Sequence, residues 1–200
     1  MGKVVVDLSV SVDGFVAGAD DGMQSSLGRG GEALFAWMSA GPPPAEGVDQ
    51  RLAVPEASKV VVDEWLTESG AMVIGRRTFD IARGWAGGHP IDVPIFVPTH
   101  EPPTEGDWSP QVTFVPEGVE RALDRAQEVA GDRTVSVAAG SVVQQTLALG
   151  RLDEINLSVT PVLLGAGVRL FDHLGGPVRL EQVRVIESDG VTHLRYRVVK

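Results

Sequence analysis

An open, mostly parallel α/β sheet with antiparallel strands at its C-terminal edge is the fold class this sequence predicts, and three observations predict it. Short apolar runs at Ala71–Ile74, Pro94–Val97 and Thr134–Ala138 have the length and composition of strands buried on both faces, as a parallel sheet covered by helices requires. Two of these runs lead through a glycine turn, at Gly75 and at Ala139-Gly140-Ser141, into segments with helical signals, the alternation that builds such a sheet. Beyond Gly150 the pattern changes to two-residue alternation, at Ile155/Leu157/Val159, Val183/Val185 and Leu194/Tyr196/Val198. Turn signals at Gly165–Gly167, Gly175-Gly176-Pro177 and Asp189-Gly190 separate those stretches, which marks them as antiparallel strands. Two hundred residues, 43% hydrophobic and 22% charged, suit one core, so residues 1–200 are expected to form a single domain.

Taken in order, Val4, Val6, Leu8, Val10 and Val12 share one face of a first strand, and Asp7, Ser9, Ser11 and Asp13 the other; it ends at Asp13-Gly14. Residues 18–32 and the breaker cluster 41–47 are loops around a short helix near Glu32–Ser39. Pro55 to Glu68 is expected to be a helix, weakened by the β-branched Val60-Val61-Val62, and Gly70 stops it. The strand Ala71–Ile74 follows, then Gly75 and a second helix. Strand Pro94–Val97 precedes the proline-rich loop 98–110, and Val112–Val115 is a further strand. Glu117 to Ala130 places Val119, Ala122, Leu123, Ala126 and Val129 at helical spacing, with Gly131 as its stop. Strand Thr134–Ala138 then runs into a helix over Val142–Leu149.

Composition excludes several classes of partner. Seventeen basic against 27 acidic residues give a net charge of −10, which repels nucleic-acid phosphates, and no basic stripe interleaved with aromatics offsets it. With no cysteine and four scattered histidines lacking H-x-x-x-H spacing, neither a disulfide nor a metal site is expected. No apolar run reaches the roughly 20 residues that span a bilayer, and Met1-Gly2-Lys3 leads straight into strand, so a cytoplasmic protein is expected.

In open α/β sheets, ligands lie outside the carboxyl ends of the strands. Three segments there have suitable chemistry. Gly75-Arg76-Arg77-Thr78 combines a glycine, a helix start with free amides, two guanidiniums and a hydroxyl, all suited to phosphate; an ordinary exposed helix start is the alternative. Ala139-Gly140-Ser141, leading into Val142, is a small-residue turn into a helix whose amide dipoles favour an anion, although such turns also arise to avoid clashes. Thr99-His100 offers a hydroxyl and an imidazole. Asp13-Gly14 ends the first strand, either as a carboxylate aimed into the crevice or as a common tight turn. Glu56 and Asp63, on the Pro55–Glu68 helix, are further candidate carboxylates, with a solvated helix face as the simpler explanation.

Leu152-Asp153-Glu154-Ile155 followed by Thr160-Pro161-Val162-Leu163-Leu164-Gly165-Ala166-Gly167-Val168-Arg169-Leu170-Phe171 is similar to "L-x-D-E-I…P-V-L-L-G-x-G-x-x-L-F". Gly75 to Phe79 is similar to "G-R-x-T-[FYW]", and Ser11 to Ala17 to "S-x-D-G-x-[IV]-A". In this order, the three motifs resemble the dihydrofolate reductase family with its three-layer sandwich. They are closer still to bacterial relatives of the reductase domain of the bifunctional riboflavin-biosynthesis protein. The resemblance implies an NADPH-dependent reductase of a small heteroaromatic, pterin- or pyrimidine-like, or carbonyl substrate, acting as a homodimer. Arg76, Arg77 and Thr78 would then bind pyrophosphate and 2′-phosphate, Thr99 and His100 the adenosine end, Ala139 to Val142 the pyrophosphate, and Val16-Ala17 the nicotinamide. Substrate would lie between Asp13-Gly14, the Pro55–Glu68 helix and the 18–32 loop. The sequence departs from the family's pattern at Ala139, where a paired glycine is usual, and at Glu101, whose charge keeps NADH open as the cofactor. It lacks the L-P-W and helical acid of folate enzymes and the zinc-deaminase ligands of the bifunctional protein. No proton donor is evident. A nucleotide-, flavin- or pterin-binding homodimer without turnover is the competing expectation.

Overall fold

The structure is a computed structural model, and it describes residues 1–42, 53–138, 140–172 and 174–200. Its centre is an eight-stranded sheet. Strands β1 (Val4–Ser11), β3 (Ser69–Ile74), β4 (Ile95–Pro98), β5 (Val112–Val115), β6 (Thr134–Ala138), β7 (Glu154–Thr160), β9 (Leu180–Ser188) and β10 (Val191–Val198) lie in the order β5-β4-β3-β6-β1-β7-β10-β9. All pairs from β5 to β7 are parallel, and β10 joins antiparallel to both β7 and β9. The fold class read from the sequence is the one observed.

A second sheet of two short strands, β2 (Phe15–Gly18) and β8 (Gly167–Arg169), was not expected. Four and three residues carry too little periodicity to signal a strand, and the glycines around them imitate turns. Gly14 turns the chain from β1 into β2 at φ 87°, a conformation open to glycine at little cost. Helices α1 (Lys59–Glu68), α2 (Arg76–Ile81), α3 (Val119–Ala130) and α4 (Gly140–Ala148) cover the sheet, with 3-10 segments at Gly31–Ser39 and Glu56–Ser58. The expected 55–68 helix therefore begins as one tight turn before becoming α-helical.

Helix α3 buries Val119, Ala122, Leu123 and Ala126 against β3, β4 and β6. The stripe differs from the expected one at its end: Val129 is half exposed, and Gln127 and Ala130 turn inward instead. Strand β1 also departs from simple alternation. Strands flank it on both sides and helices lie above and below, so Ser9 and Ser11 are as buried as Val4 and Val6, whereas Val12 lies past the strand end, 62% exposed. On the Ser9 face, the 3-10 segment 31–39 drops Trp37 onto the sheet; its indole N–H donates to Ser9 Oγ at 3.1 Å, and its ring meets Trp65 and His193 edge-on at 5.9 and 5.0 Å.

Candidate functional site

Parallel pairing sets the three predicted turns side by side, because every strand from β5 to β7 points its carboxyl end the same way. Ile74 at the end of β3 is in register with Ala138 at the end of β6, and the Gly75 amide donates to the Ala138 carbonyl at 3.4 Å. Pairing of β3 with β4 and a bond from the Thr99 amide to the Val115 carbonyl set Thr99 at the neighbouring strand end. The Arg76 side chain crosses between the two stations, its Nη1 lying 3.5 Å from Thr99 Oγ1 and 2.5 Å from the Glu101 carbonyl. From the other side, β8 rests on the start of α4: a Cβ on Gly140 would meet the Arg169 carbonyl at 3.2 Å, a tight contact that leaves little room for a side chain there. Ala17 pairs with Val168, which brings Val16-Ala17 to the same edge. Ser141 is exposed at the helix start and Val142 buried beneath it; Ala139 lies outside the described residues.

The two arginines are held by carboxylates. Asp80, one turn along α2, accepts twice from Arg76 Nε, at 2.8 and 3.0 Å. Asp21 accepts from Arg77 through both carboxylate oxygens and its carbonyl, tying α2 to the 18–32 loop. Arg77 remains 65% exposed, and neither Arg76 Nη2 nor Arg77 Nη1 has a protein partner among the described residues. Thr78 is half-buried and His100 exposed. Free amides at the start of α4, two incompletely satisfied guanidiniums and three hydroxyls on adjacent strand ends are a donor set that fits the phosphates of a dinucleotide.

On one face of the sheet lies a cavity of about 380 Å³. Its floor is Asp7, Leu8 and Ser9 of β1, Met72 of β3 and Ser136 to Ala138 of β6; its walls are Phe35, Met38, Trp65, Leu66 and the 89–91 turn. The surface is mostly apolar with a few polar groups, the character of a small-molecule site. It reaches Ala138, so it ends where the turn into α4 begins. Asp7 is its acid. Asn156 Nδ2 donates to the Asp7 carboxyl at 2.7 Å, Arg195 Nε donates to Asn156 Oδ1 at 3.0 Å, and Glu64 accepts from Arg195 and, through both oxygens at 2.6 Å, from Arg184. Burial pushes the Asp7 carboxyl up to about 6, against the Asn156 hydrogen bond, while the Arg184 and Arg195 guanidiniums hold Glu64 below the usual carboxylate range. His89, on the wall, is lowered by its burial.

Of the expected substrate residues, none lines this cavity. The Asp13 carboxylate turns away to accept from the Leu164 and Gly165 amides at 3.1 and 2.7 Å and from Ser11 Oγ at 2.6 Å, which together hold it down at about 2, the Ser11 bond contributing most. Gly14 makes the turn beside it. Glu56 is exposed and paired with Lys59, and Asp63 is exposed, because the helix presents Val61, Val62 and Trp65 inward. The acid of α1 directed inward is Glu64, and from the sheet Asp7 and Glu154 are directed inward. A carboxylate in the middle of a strand otherwise reading as buried was the signal for Asp7; the alternation placed it on a face taken as polar. Among the described residues no cluster could hold a metal ion, and no helix is long and apolar enough to cross a membrane.

No curated protein sequence matches the chain. A putative riboflavin biosynthesis protein from Shewanella sp. PV-4 superposes over the full length of both chains with a TM-score of 0.70 at 21% identity. The deaminase/reductase of Thermotoga maritima, named for 5-amino-6-(5-phosphoribosylamino)uracil reduction, matches over 99% of this chain and 57% of its own, with a TM-score of 0.61 at 15% identity. A dihydrofolate reductase from Enterococcus faecalis, solved with NADP(H), matches over 100% of this chain and 98% of its own, with a TM-score of 0.60 at 12% identity. At these identities the likeness is one of fold. The family model described as the RibD C-terminal domain matches residues 2–194, and the chain belongs to that family.

Proposed function

We propose that the protein is an NADPH-dependent reductase of a small heteroaromatic or carbonyl compound. The observation that carries this reading is that the apolar cavity ends at Ala138, where the phosphate-suited turn into α4 begins, so one ligand on the strand ends would abut a second in the cavity. Arg76, Arg77 and Thr78 with Gly75 would hold the pyrophosphate and 2′-phosphate, and Thr99 and His100 the adenosine end. Gly140, Ser141 and Val142 would hold the pyrophosphate from the α4 side, and Val16-Ala17 the nicotinamide. A bound reduced nicotinamide supplies hydride; the chain's own residues orient both partners, exclude water and manage the proton. The enterococcal relative, solved with NADP(H) on this fold, supports the cofactor class. The Glu101 side chain is exposed while its carbonyl holds Arg76, so its charge need not face a 2′-phosphate.

Titration of intrinsic tryptophan fluorescence with NADPH and NADH tests this. Wild type is expected to bind NADPH in the micromolar range. Arg77→Ala, which removes an exposed guanidinium, is expected to weaken NADPH at least tenfold, about 1.4 kcal/mol, and NADH less. Absence of response to either dinucleotide at millimolar concentration would leave the non-catalytic reading in its place.

A further inference from the structure

Asp7 occupies an unusual position. It lies in the middle of β1, deep beneath the surface, yet retains accessible area; besides a small crevice toward His193 and Arg184, two larger cavities border it, one toward each end of the strands. One is the apolar cavity already described. The other, about 70 Å³, is lined mainly by polar groups and runs past Asp7 to the amino ends of the strands, where Lys3, Ser69, Thr134 and Glu154 border it. That volume is large enough for a few waters. The carboxyl, with Trp65 and Ser136, separates an apolar compartment sized for a ring from a polar one that leads to the amino ends of the strands, away from the dinucleotide turns. Groups facing Asp7 come from every element around it: Asn156 and Glu154 on β7, Arg195 and His193 on β10, Arg184 on β9, Glu64 and Glu68 on α1, and Lys3 ahead of β1. Both arginines pair with Glu64; the Arg195 charge favours ionised Asp7 and Glu64 opposes it, so burial is what keeps the proton on Asp7.

We propose that Asp7 is the proton donor of the reduction, and that the polar cavity behind it is the path by which its proton is replaced from the amino-end edge of the sheet. This rests on the reductase reading. In the step, carbon of a C=N or C=O bond gains the hydride pair, the dihydronicotinamide being oxidised. The Asp7 O–H bond breaks, an N–H or O–H bond forms on the substrate heteroatom, and Asp7 is left as carboxylate. A water proton arriving through the cavity restores the acid. The raised affinity of Asp7 for its proton suits the role, since a donor must hold a proton near working pH and still release it. The proposal narrows the substrate to a ring-sized compound whose reducible bond ends in a basic nitrogen or oxygen.

The test combines a titration that needs no substrate with a kinetic one. Protein carrying ¹³C-carboxyl aspartate is titrated by NMR, and the resonance missing from Asp7→Asn identifies the group. It is expected to titrate above the ordinary carboxylate range, and to move higher in Asn156→Leu, which removes its hydrogen-bond donor. With NADPH and a panel of dihydropterins, aminopyrimidines and quinones, Asp7→Asn is expected to lower kcat at least 100-fold with the NADPH Kd unchanged. Thr134→Leu, narrowing the inlet, is expected to lower kcat without changing KM, and Thr134→Ser to restore it. Ordinary titration of Asp7, or wild-type turnover by Asp7→Asn, overturns the proposal and leaves the reductase reading standing. Failure of wild type to bind NADPH overturns the reading first. Where no panel member turns over, the titration decides.

Discussion

Single carboxylates and imidazoles carry most of what is specific to this chain, and their environments decide their roles. Asp13 and Asp7 sit six residues apart, yet one is held down at about 2 by hydrogen bonds and the other is pushed up to about 6 by burial. For Asp7 the folded chain binds the proton more tightly than the unfolded one, so its contribution to stability is present below pH 4 and is lost as pH rises through 6, a span on the order of 3 kcal/mol. His193 acts oppositely. Held between Ser58 and Ser158 and lowered to about 4 by burial, it stays neutral in the fold, so stability rises between pH 4 and 6.5. The two slopes oppose each other in wild type. Asp7→Asn should therefore unmask a rise in unfolding free energy from pH 4 to 6.5, measured by urea titration; an unchanged profile would show that Asp7 titrates alike in both states. Neither role was legible in the sequence. Glu56 and Asp63 stood out there for their place on a helix, but which carboxylate points inward depends on helix rotation, and Val61, Val62 and Trp65 set that rotation.

Elements with strong periodicity or wholly apolar runs were legible: β5 and β6 have the expected bounds, and α3 falls within one or two residues of them. The pair β2 and β8 was not, since its strands exist by pairing with each other across 150 residues rather than by local propensity. Alternation at Val183 and Val185 correctly marked a strand but left open which face is covered. In the structure β9 is the last strand of the sheet, and these valines are 44% and 48% exposed along its nine-residue edge. An edge on which no further strand pairs among the described residues, carrying apolar side chains, is a template for another strand or sheet face. A homodimer, were one to form, would use this edge. Sedimentation should give a dimer for wild type at micromolar concentration and a folded monomer for Val183→Asp combined with Val185→Asp; a monomeric wild type would remove the dimer from the account.

At the scale of the whole molecule, the three strand-end turns come together because the sheet is parallel where it matters, and that much follows from alternating strand and helix signals. The cavity does not follow from them. It depends on a 3-10 segment, α1 and the 89–91 turn closing over one face of the sheet, long-range packing with no local signature. The result is a molecule whose dinucleotide-suited edge and ring-sized cavity meet at Ala138 and whose buried acid lies on the far side of that cavity. A crystal structure with NADPH soaked in tests this most directly. The account predicts density running from Arg76 and Thr99 past Ser141, with the nicotinamide at the mouth of the cavity floored by Asp7 and Ser9. A dinucleotide bound elsewhere, or a nicotinamide with no path to that cavity, would contradict it.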